Sequence, residues 1–457
     1  MKTLLPMIEE APAHNADDLD EELATYAYSY PHKSSYRRLA PRVRIADAWA
    51  GEPTDRLSLY VHLPFCEMRC GFCNLFTLSQ PAETQVETYL AALQRQMQIV
   101  AAAVPGARFV QLALGGGTPT KLTATQLRTL FTQLESTFGF SVAQVGTSIE
   151  TSPHTATPDR LAVLAEHGVR RVSIGVQSFE AEETRHLGRP QRTGEVARAL
   201  AAIKRHEFPI LNIDLIYGHP RQTLATWRNS LRAALDYGPQ ELYLYPLYIR
   251  PETGLGQRTL ATPELRADLY EAARELLLAR GYDQSSLRCF HLPRDGQAAV
   301  HACQRDGMIG LGCGARSYTR RLHYATRFAV TQAGIQAILG EWQQQSDDDF
   351  AWATHGIWLS EEEQLRRYLI LSLLPAEGIE STELQAHFPN CDLAVLPELQ
   401  LLRERGWIHS SNERLQLTAA GMRNSDRVGP LLYSRRVLEN LRKFLGQHRH
   451  DMEALPG

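Results

Sequence analysis

The sequence lacks any apolar run that approaches the roughly 20 residues needed to cross a bilayer. It also lacks a recognisable signal peptide, because its first eight residues are followed at once by Glu9 and Glu10. No repeat of solenoid length and no long low-complexity tract occurs. We therefore expect neither a membrane span nor a repeat architecture, and free thiols without a signal predict a cytoplasmic protein.

The sequence has no large excess of charge of one sign. Its 48 basic and 51 acidic residues give a net charge of −3, so there is no global electrostatic case for a nucleic acid or an anionic membrane as partner. With 44% hydrophobic and 22% charged residues, the composition is ordinary for a globular protein. The length of 457 residues predicts two or three domains, one of them large.

Cysteine is scarce, but it is unevenly spread. Three of the seven cysteines, Cys66, Cys70 and Cys73, fall within eight residues in a CxxxCxxC spacing, directly after the apolar run 57–63. Three clustered thiolates suit an iron–sulfur cluster or zinc, whereas an odd number fits a disulfide framework poorly. A structural zinc site would need a fourth ligand nearby, and the nearest, His62, lies inside the apolar run. Three ligands on a four-iron cluster instead leave one iron open to a substrate or cofactor.

The CxxxCxxC spacing after residues 60–66, which read YVHLPFC, resembles the radical S-adenosylmethionine (SAM) superfamily. Within it, the stretch is most similar to the oxygen-independent coproporphyrinogen III oxidase-like family, which includes heme chaperones and methyltransferases. The resemblance implies that Cys66, Cys70 and Cys73 hold a [4Fe–4S] cluster whose open iron is chelated by SAM. One electron would then cleave SAM to methionine and a 5′-deoxyadenosyl radical, which abstracts hydrogen from the substrate. One SAM molecule or two are implied, because the oxidase binds a second beside the first.

From Leu57 onward the sequence alternates between strand-like apolar runs and helical patterns. The six predicted strands lie at 57–63, 109–114, 145–150, 171–176, 210–216 and 241–247. The predicted helices lie at about 82–103, 123–138, 157–167, 192–206 and 221–236. Six strands are too few for a full eight-stranded barrel, and the resemblance implies the α/β class with a partial (β/α)6 TIM-like barrel. In such barrels the chemistry lies at the carboxyl ends of the strands.

A glycine-rich motif at 115–120, which reads GGGTPT, follows the second predicted strand. Glycines let the backbone approach a ligand closely, although a lone glycine-rich turn is usually only a tight turn. The motif is similar to one that contacts the SAM amino group in the family. The resemblance therefore implies that Gly116, Gly117 and Thr118 bind the cofactor.

Polar side chains also stand at the ends of later strands. The resemblance implies that Glu150 binds the methionine part of SAM, that Gln177 holds its ribose and that Arg189 pairs with its carboxylate. Asp214 lies inside an apolar run, where burial is costly without a partner, and the resemblance places it in the active site and beside the cofactor. Tyr60 matches a family position near the sulfonium and could also belong to a second SAM subsite. We predict Asp214 and Tyr60 as the catalytic residues.

The apolar side of this site is predicted from the resemblance alone. Ile216 would lie against the adenine, Leu247 or Tyr248 could close the adenine side, and Phe72, inside the cysteine motif, would complete the cofactor-binding set. His219 stands where the family commonly has an apolar residue; a neutral loop histidine is the simpler interpretation, and a substrate contact stays open.

Four regions are predicted along the chain: an N-terminal arm at 1–55, the radical SAM barrel at 56–255, an extension with the substrate cavity at 256–345, and a small helical, winged-helix-like C-terminal domain at 346–457. The arm interleaves tyrosines and cations at 26–38, which could stack on an anionic aromatic ligand. Packing of the arm over the core is the simpler interpretation. A short helix is expected at 17–22, and the acidic run 347–349 is expected to be a linker.

The extension carries a second glycine-rich string at 309–318, which reads IGLGCGARSY and resembles the family segment GLGAGAHSY. Arg316 replaces a histidine there and could pair with a carboxylate-bearing substrate. The remaining cysteines lack ligand spacing and are predicted to be buried free thiols: Cys289, Cys303, Cys313 and Cys391.

The last region predicts helices at 361–373, 380–388 and 393–406, a hairpin within 407–421 and a final amphipathic helix at 431–445. No helix rich in Arg or Asn is present to read bases, so we predict a lid or cavity wall and no nucleic acid partner. The cations of the final helix are interpreted as a solvated face: Arg435, Arg436, Arg442 and Lys443.

Two departures bear on the substrate. Leu75 stands where the oxidase carries an additional Cys, and 301–306 keeps only the His of the chaperone segment HNxxYW. The resemblance implies a radical reaction on a tetrapyrrole or another flat, acidic molecule in porphyrin or heme metabolism. The alternatives are a heme carrier that keeps the cluster, a radical SAM methyltransferase, and a structural iron–sulfur protein. An electron donor such as flavodoxin is the expected partner of a monomeric chain.

Overall fold

A computed structural model describes residues 29–249, 253–256, 259–293, 303–389, 396–411 and 413–453. The predicted helix at 17–22 lies outside these residues, as do Tyr26, Tyr28, His301 and Cys391. Within the described part, no helix is long and apolar enough to cross a membrane.

Strands and helices alternate through the first half of the chain. After a 3-10 helix at Lys33–Ser35, the elements are β1 Arg37–Arg44, α1 Ile45–Trp49, β2 Leu57–Leu63, β3 Phe65–Cys66, β4 Leu78–Ser79, α2 Glu83–Ala103, β5 Phe109–Gly116, α3 Ala124–Phe138, β6 Gly146–Thr151, α4 Pro158–Glu166, β7 Arg171–Gln177, α5 Ala181–His186, α6 Thr193–Arg205, β8 Ile210–Tyr217, α7 Leu224–Leu235 and β9 Glu241–Pro246. The six predicted strands and five predicted helices are confirmed, with ends that shift by a few residues at most.

The second half of the chain mixes short strands with helices. Its elements are α8 Pro263–Ala279, β10 Asp283–Gln284, β11 Cys289–His291, α9 Cys303–Asp306, β12 Met308–Leu311, β13 Arg316–Tyr318, β14 Leu322–Ala325, α10 Gln332–Gln343, α11 Asp347–Phe350, β15 Trp352–Trp358, α12 Glu361–Leu373, β16 Ile379–Glu380, α13 Ser381–His387, α14 Pro397–Glu404, β17 Ile408–Ser410, β18 Arg414–Leu417, α15 Ala419–Arg423, α16 Ser425–Leu431 and α17 Arg435–Glu453.

One large sheet organises the molecule. Its thirteen strands run in the order β1-β15-β14-β13-β12-β2-β5-β6-β7-β8-β9-β11-β10. From β2 to β9 the strands pair in parallel and in chain order, with the helices as crossovers. The predicted α/β class with a partial (β/α)6 unit is confirmed, and the described strands pair as an open sheet.

Side chains alternate between the two faces of this sheet. In β2, Leu59, Val61 and Leu63 are fully buried in the main apolar core. Tyr60 and His62 lie on the opposite face, on which the neighbouring strands carry polar groups. Because parallel strands expose their carboxyl ends along one edge, the polar residues at those ends are brought together.

The predicted extension contributes a seventh parallel strand. β12 pairs in parallel with the other edge of β2, with Gly310 opposite Tyr60. Strands β13, β14, β15 and β1 then continue the sheet in antiparallel fashion. The N-terminal arm therefore supplies an edge strand, and β15 joins the large sheet although it lies beyond the predicted boundary at 346.

The acidic run 347–349 is not the linker that its composition predicts. It forms the first turn of α11, where the Ser346 side chain accepts a hydrogen bond from the Asp349 N–H and Asp349 caps Ser346 in return. Acidic side chains favour the amino end of a helix. The composition is the same in a linker and in a capped helix start, which is why the prediction failed.

The C-terminal region packs helices around a small sheet of order β16-β18-β17. The predicted helices at 361–373 and 380–388 and the hairpin are confirmed, and the one at 393–406 is described from Pro397 to Glu404. The final helix begins at Arg435 rather than 431. Arg436 is not simply solvated, because it donates to the Trp358 carbonyl and to the buried Glu363 carboxylate.

Candidate active site

The cysteine motif forms a loop that leaves the carboxyl end of β2. The loop is closed by pairing of β3 with β4, and it is held from outside by two backbone bonds of Gly71. The Gly71 N–H donates to the Leu187 carbonyl at 3.0 Å, and the Leu255 N–H donates to the Gly71 carbonyl at 2.9 Å. Cys70 is buried and Cys66 and Cys73 are half-buried, so the loop carries three thiols at the edge of the sheet.

Desolvation disfavours the ionised form of two of the three thiols. Burial raises the pKa of the Cys66 thiol to about 12, and it also raises the pKa of Cys73. Polar groups surround them: Thr118 Oγ1 donates to Cys66 Sγ at 3.6 Å, and Arg189 Nη1 donates to Cys70 Sγ at 3.0 Å. Buried thiols of this kind become thiolates when a metal centre binds them.

The donor set fits an iron–sulfur cluster better than a single metal ion. Among the described residues, no group of three or more His, Cys, Asp or Glu side chains converges on a point where one ion could be held. A [4Fe–4S] cluster takes each thiolate at a different iron, so its ligands need not converge. Three thiols spread around one loop match that requirement.

The glycine motif at the end of β5 packs against the cysteine loop. Gly116 has a φ of +101°, and a Cβ at this position would lie 2.3 Å from the His62 ring. Only glycine fits there without displacing the histidine. The Gly117 N–H donates to the Leu63 carbonyl at 2.9 Å and the Thr118 N–H donates to the Phe65 carbonyl at 2.8 Å. These bonds bring the three predicted residues beside Cys66.

Two carboxylates, those of the exposed Glu150 and the half-buried Asp214, face the same space. Glu150 accepts from the Gly116 N–H at 3.2 Å, and Asp214 accepts from Ser173 Oγ at 3.1 Å and from Asn212 Nδ2 at 2.7 Å. Desolvation by the surrounding atoms, together with the charge of Asp214, raises the pKa of Glu150 to about 7. Burial also raises the pKa of Asp214. A carboxylate with such a perturbed pKa is suited to pair with a cationic ligand group.

Arg189 and Gln177 stand at the end of β7. Arg189 spans the site, because its Nη2 donates to the Gly175 carbonyl at 2.9 Å while its Nη1 reaches Cys70. Gln177 has a φ of +70° at an irregularity in the pairing of β7 with β8. A non-glycine residue in this conformation stores strain and is often found at functional sites.

Tyr60 and His62 form a short relay beside the glycines. The Tyr60 hydroxyl lies 3.0 Å from His62 Nδ1, and His62 Nε2 lies 2.9 Å from the Phe76 carbonyl. A carbonyl only accepts, so Nε2 carries the proton and Nδ1 accepts from Tyr60. Burial lowers the pKa of His62 to about 4 and raises that of Tyr60. Both side chains are therefore neutral and fixed in orientation.

The predicted adenine-side residues are brought into one place. Phe72, Ile216 and Leu247 belong to a small apolar cluster that is separate from the main core. The other members were missed by sequence reasoning: Leu187, Tyr245, Ile249 and Leu255. Leu187 and Leu255 also bond the cysteine loop through their backbones. The cluster forms an apolar wall next to the thiols.

Two further charged residues were missed. Arg171 pairs with Glu241 at 2.6 Å, and its charge lowers the pKa of Asp214 against the larger effect of burial. Arg171 and Ser173 are two residues apart on β7 and therefore point to the same face, so the sequence did indicate that Arg171 lies on the polar face. Glu67 accepts from Ser152 Oγ at 2.8 Å, and its other oxygen is buried without a partner among the described residues. The sequence carried no signal for that contact.

The chain was compared with known proteins. The family model described as radical SAM superfamily matches residues 60–234. The oxygen-independent coproporphyrinogen III oxidase of Cereibacter sphaeroides is 31% identical over 361 residues, which cover 75% of this chain and 77% of the relative. Heme chaperone HemW of Escherichia coli is 31% identical over 265 residues, 57% of this chain and 69% of the relative.

The solved structure of coproporphyrinogen III oxidase from Escherichia coli, described as a radical SAM enzyme, has a TM-score of 0.76. It is 26% identical and covers 91% of this chain and 98% of its own. Both cofactors of the family, a [4Fe–4S] cluster and SAM, suit the thiols and carboxylates described above. The chain is a radical SAM enzyme and belongs to the family of oxygen-independent coproporphyrinogen III oxidases and related heme chaperones.

Proposed function

We propose that this radical SAM enzyme acts on a tetrapyrrole or a similarly flat, acidic molecule. The observation that carries the proposal is the convergence of three thiols, the carboxylates of Glu150 and Asp214, and Arg189 at one edge of the sheet. The substrate class is supported by the relatives, which are named for coproporphyrinogen III and for heme.

In this proposal, Cys66, Cys70 and Cys73 hold the cluster, which when bound supplies the electron that cleaves SAM to a 5′-deoxyadenosyl radical. Glu150 would pair with the SAM ammonium, because a carboxylate whose pKa is raised to about 7 gains from a cationic partner. The Arg189 guanidinium, already between Cys70 and Gly175, faces the SAM carboxylate.

The remaining residues orient the ligands and exclude water. The backbone around Gly116, Gly117 and Thr118 lies against the cysteine loop and can approach the methionine part closely. Gln177 is proposed to bind the ribose. The apolar cluster of Phe72, Ile216 and Leu247 offers a surface for the adenine.

Asp214 and Tyr60 are proposed to act on the substrate side. The Asp214 carboxylate is held by Ser173 and Asn212, and the Tyr60 hydroxyl is held by His62. A buried site of this kind protects a reactive radical from solvent and positions it for hydrogen abstraction.

An anaerobic assay tests the proposal. The cluster is reconstituted, reductant and SAM are added, and coproporphyrinogen III or heme is offered separately while 5′-deoxyadenosine and the tetrapyrrole are followed by mass spectrometry. Loss of carboxyl mass from coproporphyrinogen, or a methylated or ring-opened heme, would support the proposal. Substrate-independent SAM cleavage with both tetrapyrroles unchanged would reject the substrate class.

A heme carrier is the second candidate. It is favoured by one observation: Leu75, with 46% of its surface exposed, stands where the oxidase has an additional Cys. Stable heme binding without turnover in the same assay would support the carrier.

Several finer properties belong to the proposal. We expect an electron donor such as flavodoxin, a monomeric chain and a cytoplasmic location. One or two SAM molecules would bind, the second of them near Tyr60. Size-exclusion chromatography with light scattering and reduction by purified flavodoxin test the first two. A stable dimer, or no reduction by flavodoxin, would contradict them.

A further inference from the structure

Arg316, which forms no ion pair with the described residues, lies on the other side of β2 from the proposed SAM-binding residues. Arg316 begins β13 beside Gly310 of β12, and Gly310 in turn lies opposite Tyr60. A Cβ at position 310 would lie only 2.2 Å from the Arg316 carbonyl oxygen. Glycine at this position therefore allows β13 to approach, and Arg316 comes close enough to affect the pKa of Tyr60.

The Arg316 guanidinium makes a single hydrogen bond, from Nη1 to Ser29 Oγ at 3.0 Å. Its guanidinium carbon lies 5.8 Å from the centre of the Tyr318 ring. Burial raises the pKa values of Tyr36, Tyr60 and Tyr318, so these neighbours are neutral phenols. Within the described part of the chain, no carboxylate forms an ion pair with Arg316.

Three other arginines of the described chain each pair with a carboxylate. Arg288 lies 2.6 Å from Asp426, Arg171 lies 2.6 Å from Glu241, and Arg366 lies 2.7 Å from Glu362. Removal of a guanidinium from water without a counter-charge is unfavourable. A partly buried arginine that keeps most of its donors open is therefore suited to an anion that is supplied from outside the chain.

The surroundings add a second donor and more positive charge. The Tyr36 hydroxyl is buried without a hydrogen-bond partner among the described residues. Arg316 and Arg367 both act on Tyr36 electrostatically, and Arg367 itself donates to the Thr319 carbonyl and to His323 rather than to an acid. A ligand group that suits these donors and this positive charge is one that only accepts hydrogen bonds and is negatively charged.

We propose that Arg316 and the Tyr36 hydroxyl form a subsite for a carboxylate group of a bound small molecule, beside Tyr60 and across β2 from the SAM-binding residues. This inference rests on the proposed function and adds where an acidic substrate is anchored. A planar carboxylate matches the fork of a guanidinium. The carboxylate belongs either to a side chain of the tetrapyrrole or to a second SAM molecule, and the test separates these sources.

The first arm measures binding of coproporphyrin III, a stable tetracarboxylate, by absorbance titration to the anaerobic holoprotein. Loss of a buried charge-assisted pair predicts about 10- to 100-fold weaker binding by Arg316→Gln. Arg316→Lys keeps the charge but loses the fork, so its binding should be intermediate. Ser29→Ala removes only the internal partner of Arg316 and is the matched control, with unchanged affinity. The tetramethyl ester of coproporphyrin III should bind the wild type weakly and be insensitive to Arg316→Gln.

The second arm measures SAM stoichiometry by equilibrium dialysis. If the carboxylate is that of a second SAM molecule, Arg316→Gln lowers SAM binding from two per chain to one and leaves coproporphyrin III affinity unchanged. If it is a substrate carboxylate, SAM binding is unaffected and only the porphyrin affinity falls. Either result supports the subsite, and the unfolding midpoint of each variant shows whether the fold is retained.

Two other outcomes overturn the inference and can be told apart. Equal affinity of wild type and Arg316→Gln for both ligands removes the role of Arg316 but leaves the tetrapyrrole substrate class intact. A wild type that binds SAM once and binds no porphyrin removes the substrate class and the carboxylate subsite together. If Arg316→Gln fails to fold, Arg316→Lys decides, because affinity equal to the wild type with every ligand would exclude a forked contact.

Discussion

The two sides of β2 differ in how their polar side chains are partnered. On one side, β5 to β9 form the cofactor flank, where Glu150, Arg189 and Asp214 each have a hydrogen-bond partner within the chain. On the other side, β12 and β13 form the anion flank, where among the described residues Arg316 bonds only Ser29 and the Tyr36 hydroxyl has no hydrogen-bond partner. The three side chains of the first flank are held by other groups of the chain, whereas we propose that those of the second hold an anion.

The largest effect is expected from Cys70→Ser, which removes one of three cluster thiolates on the cofactor flank. SAM cleavage should fall to background because a serine hydroxyl does not replace a soft thiolate ligand of iron. Iron content and 5′-deoxyadenosine yield check this. Cys289→Ser, at a free thiol of β11, is the control and should retain both. Full activity of Cys70→Ser would contradict the assignment of the loop.

Gly116→Ala should disrupt the cofactor flank although it removes no side chain that binds the cluster or SAM. The new Cβ would lie 2.3 Å from the His62 ring at a φ of +101°. Backbone strain alone costs about 1–3 kcal/mol, and displacement of His62 adds to it. Equilibrium dialysis should show SAM affinity reduced by at least about tenfold.

The control for Gly116→Ala is Gly106→Ala. It also places a side chain at positive φ, but no atom lies within 4 Å of the new Cβ. This variant should lose some stability and keep its SAM affinity. Equal SAM affinity of the two variants would mean that contact with His62 is unimportant.

Gly310→Ala tests the anion flank in the same way. The new Cβ would clash with the Arg316 carbonyl at 2.2 Å and push β13 away from β12. Coproporphyrin III binding should fall by about tenfold or more, because Arg316 is displaced from its subsite, while SAM cleavage persists. Gly340→Ala, in helix α10 with open space around it, should be neutral or slightly stabilising. Loss of SAM binding by Gly310→Ala would show that the flanks are not separable.

The smallest effect concerns the pH dependence of the cofactor flank. Desolvation raises the folded pKa of Glu150 from 4.5 to about 7, so between these values the folded state binds more protons than the unfolded state. The unfolding free energy of the apoprotein should therefore fall as pH rises through this window, by an amount that solvent screening keeps small because Glu150 is exposed. Glu150→Gln should remove that decline and weaken SAM binding. Denaturant titrations across the window measure it, and identical slopes for both proteins would refute the Glu150 assignment.

The structure of the cofactor flank was largely predictable from the sequence, because each of its elements is determined by residues that are close together in the chain. β2 and each strand from β5 to β9 span at least six residues with a clear apolar pattern, and each helix between them has its own period. The residues at the strand ends then followed from the resemblance. Arg171 was missed because it opens a strand and carries no motif.

The anion flank was less predictable because its strands are short and their partners are distant in sequence. β12 has four residues and β13 three, too few to show a period. Arg316 was singled out, but its place beside Tyr60 depends on a parallel pairing between residues about 250 positions apart. Composition alone also did not distinguish a linker from a helix start at α11, where the capping hydrogen bonds determine the structure.

The most direct test of the central claim is electron paramagnetic resonance of the reduced, reconstituted protein with and without SAM. The account predicts a [4Fe–4S] signal that requires Cys66, Cys70 and Cys73 and that changes on SAM addition, with the change lost in Gly116→Ala and retained in Gly310→Ala. A cluster signal that is indifferent to SAM in the wild type would contradict the account.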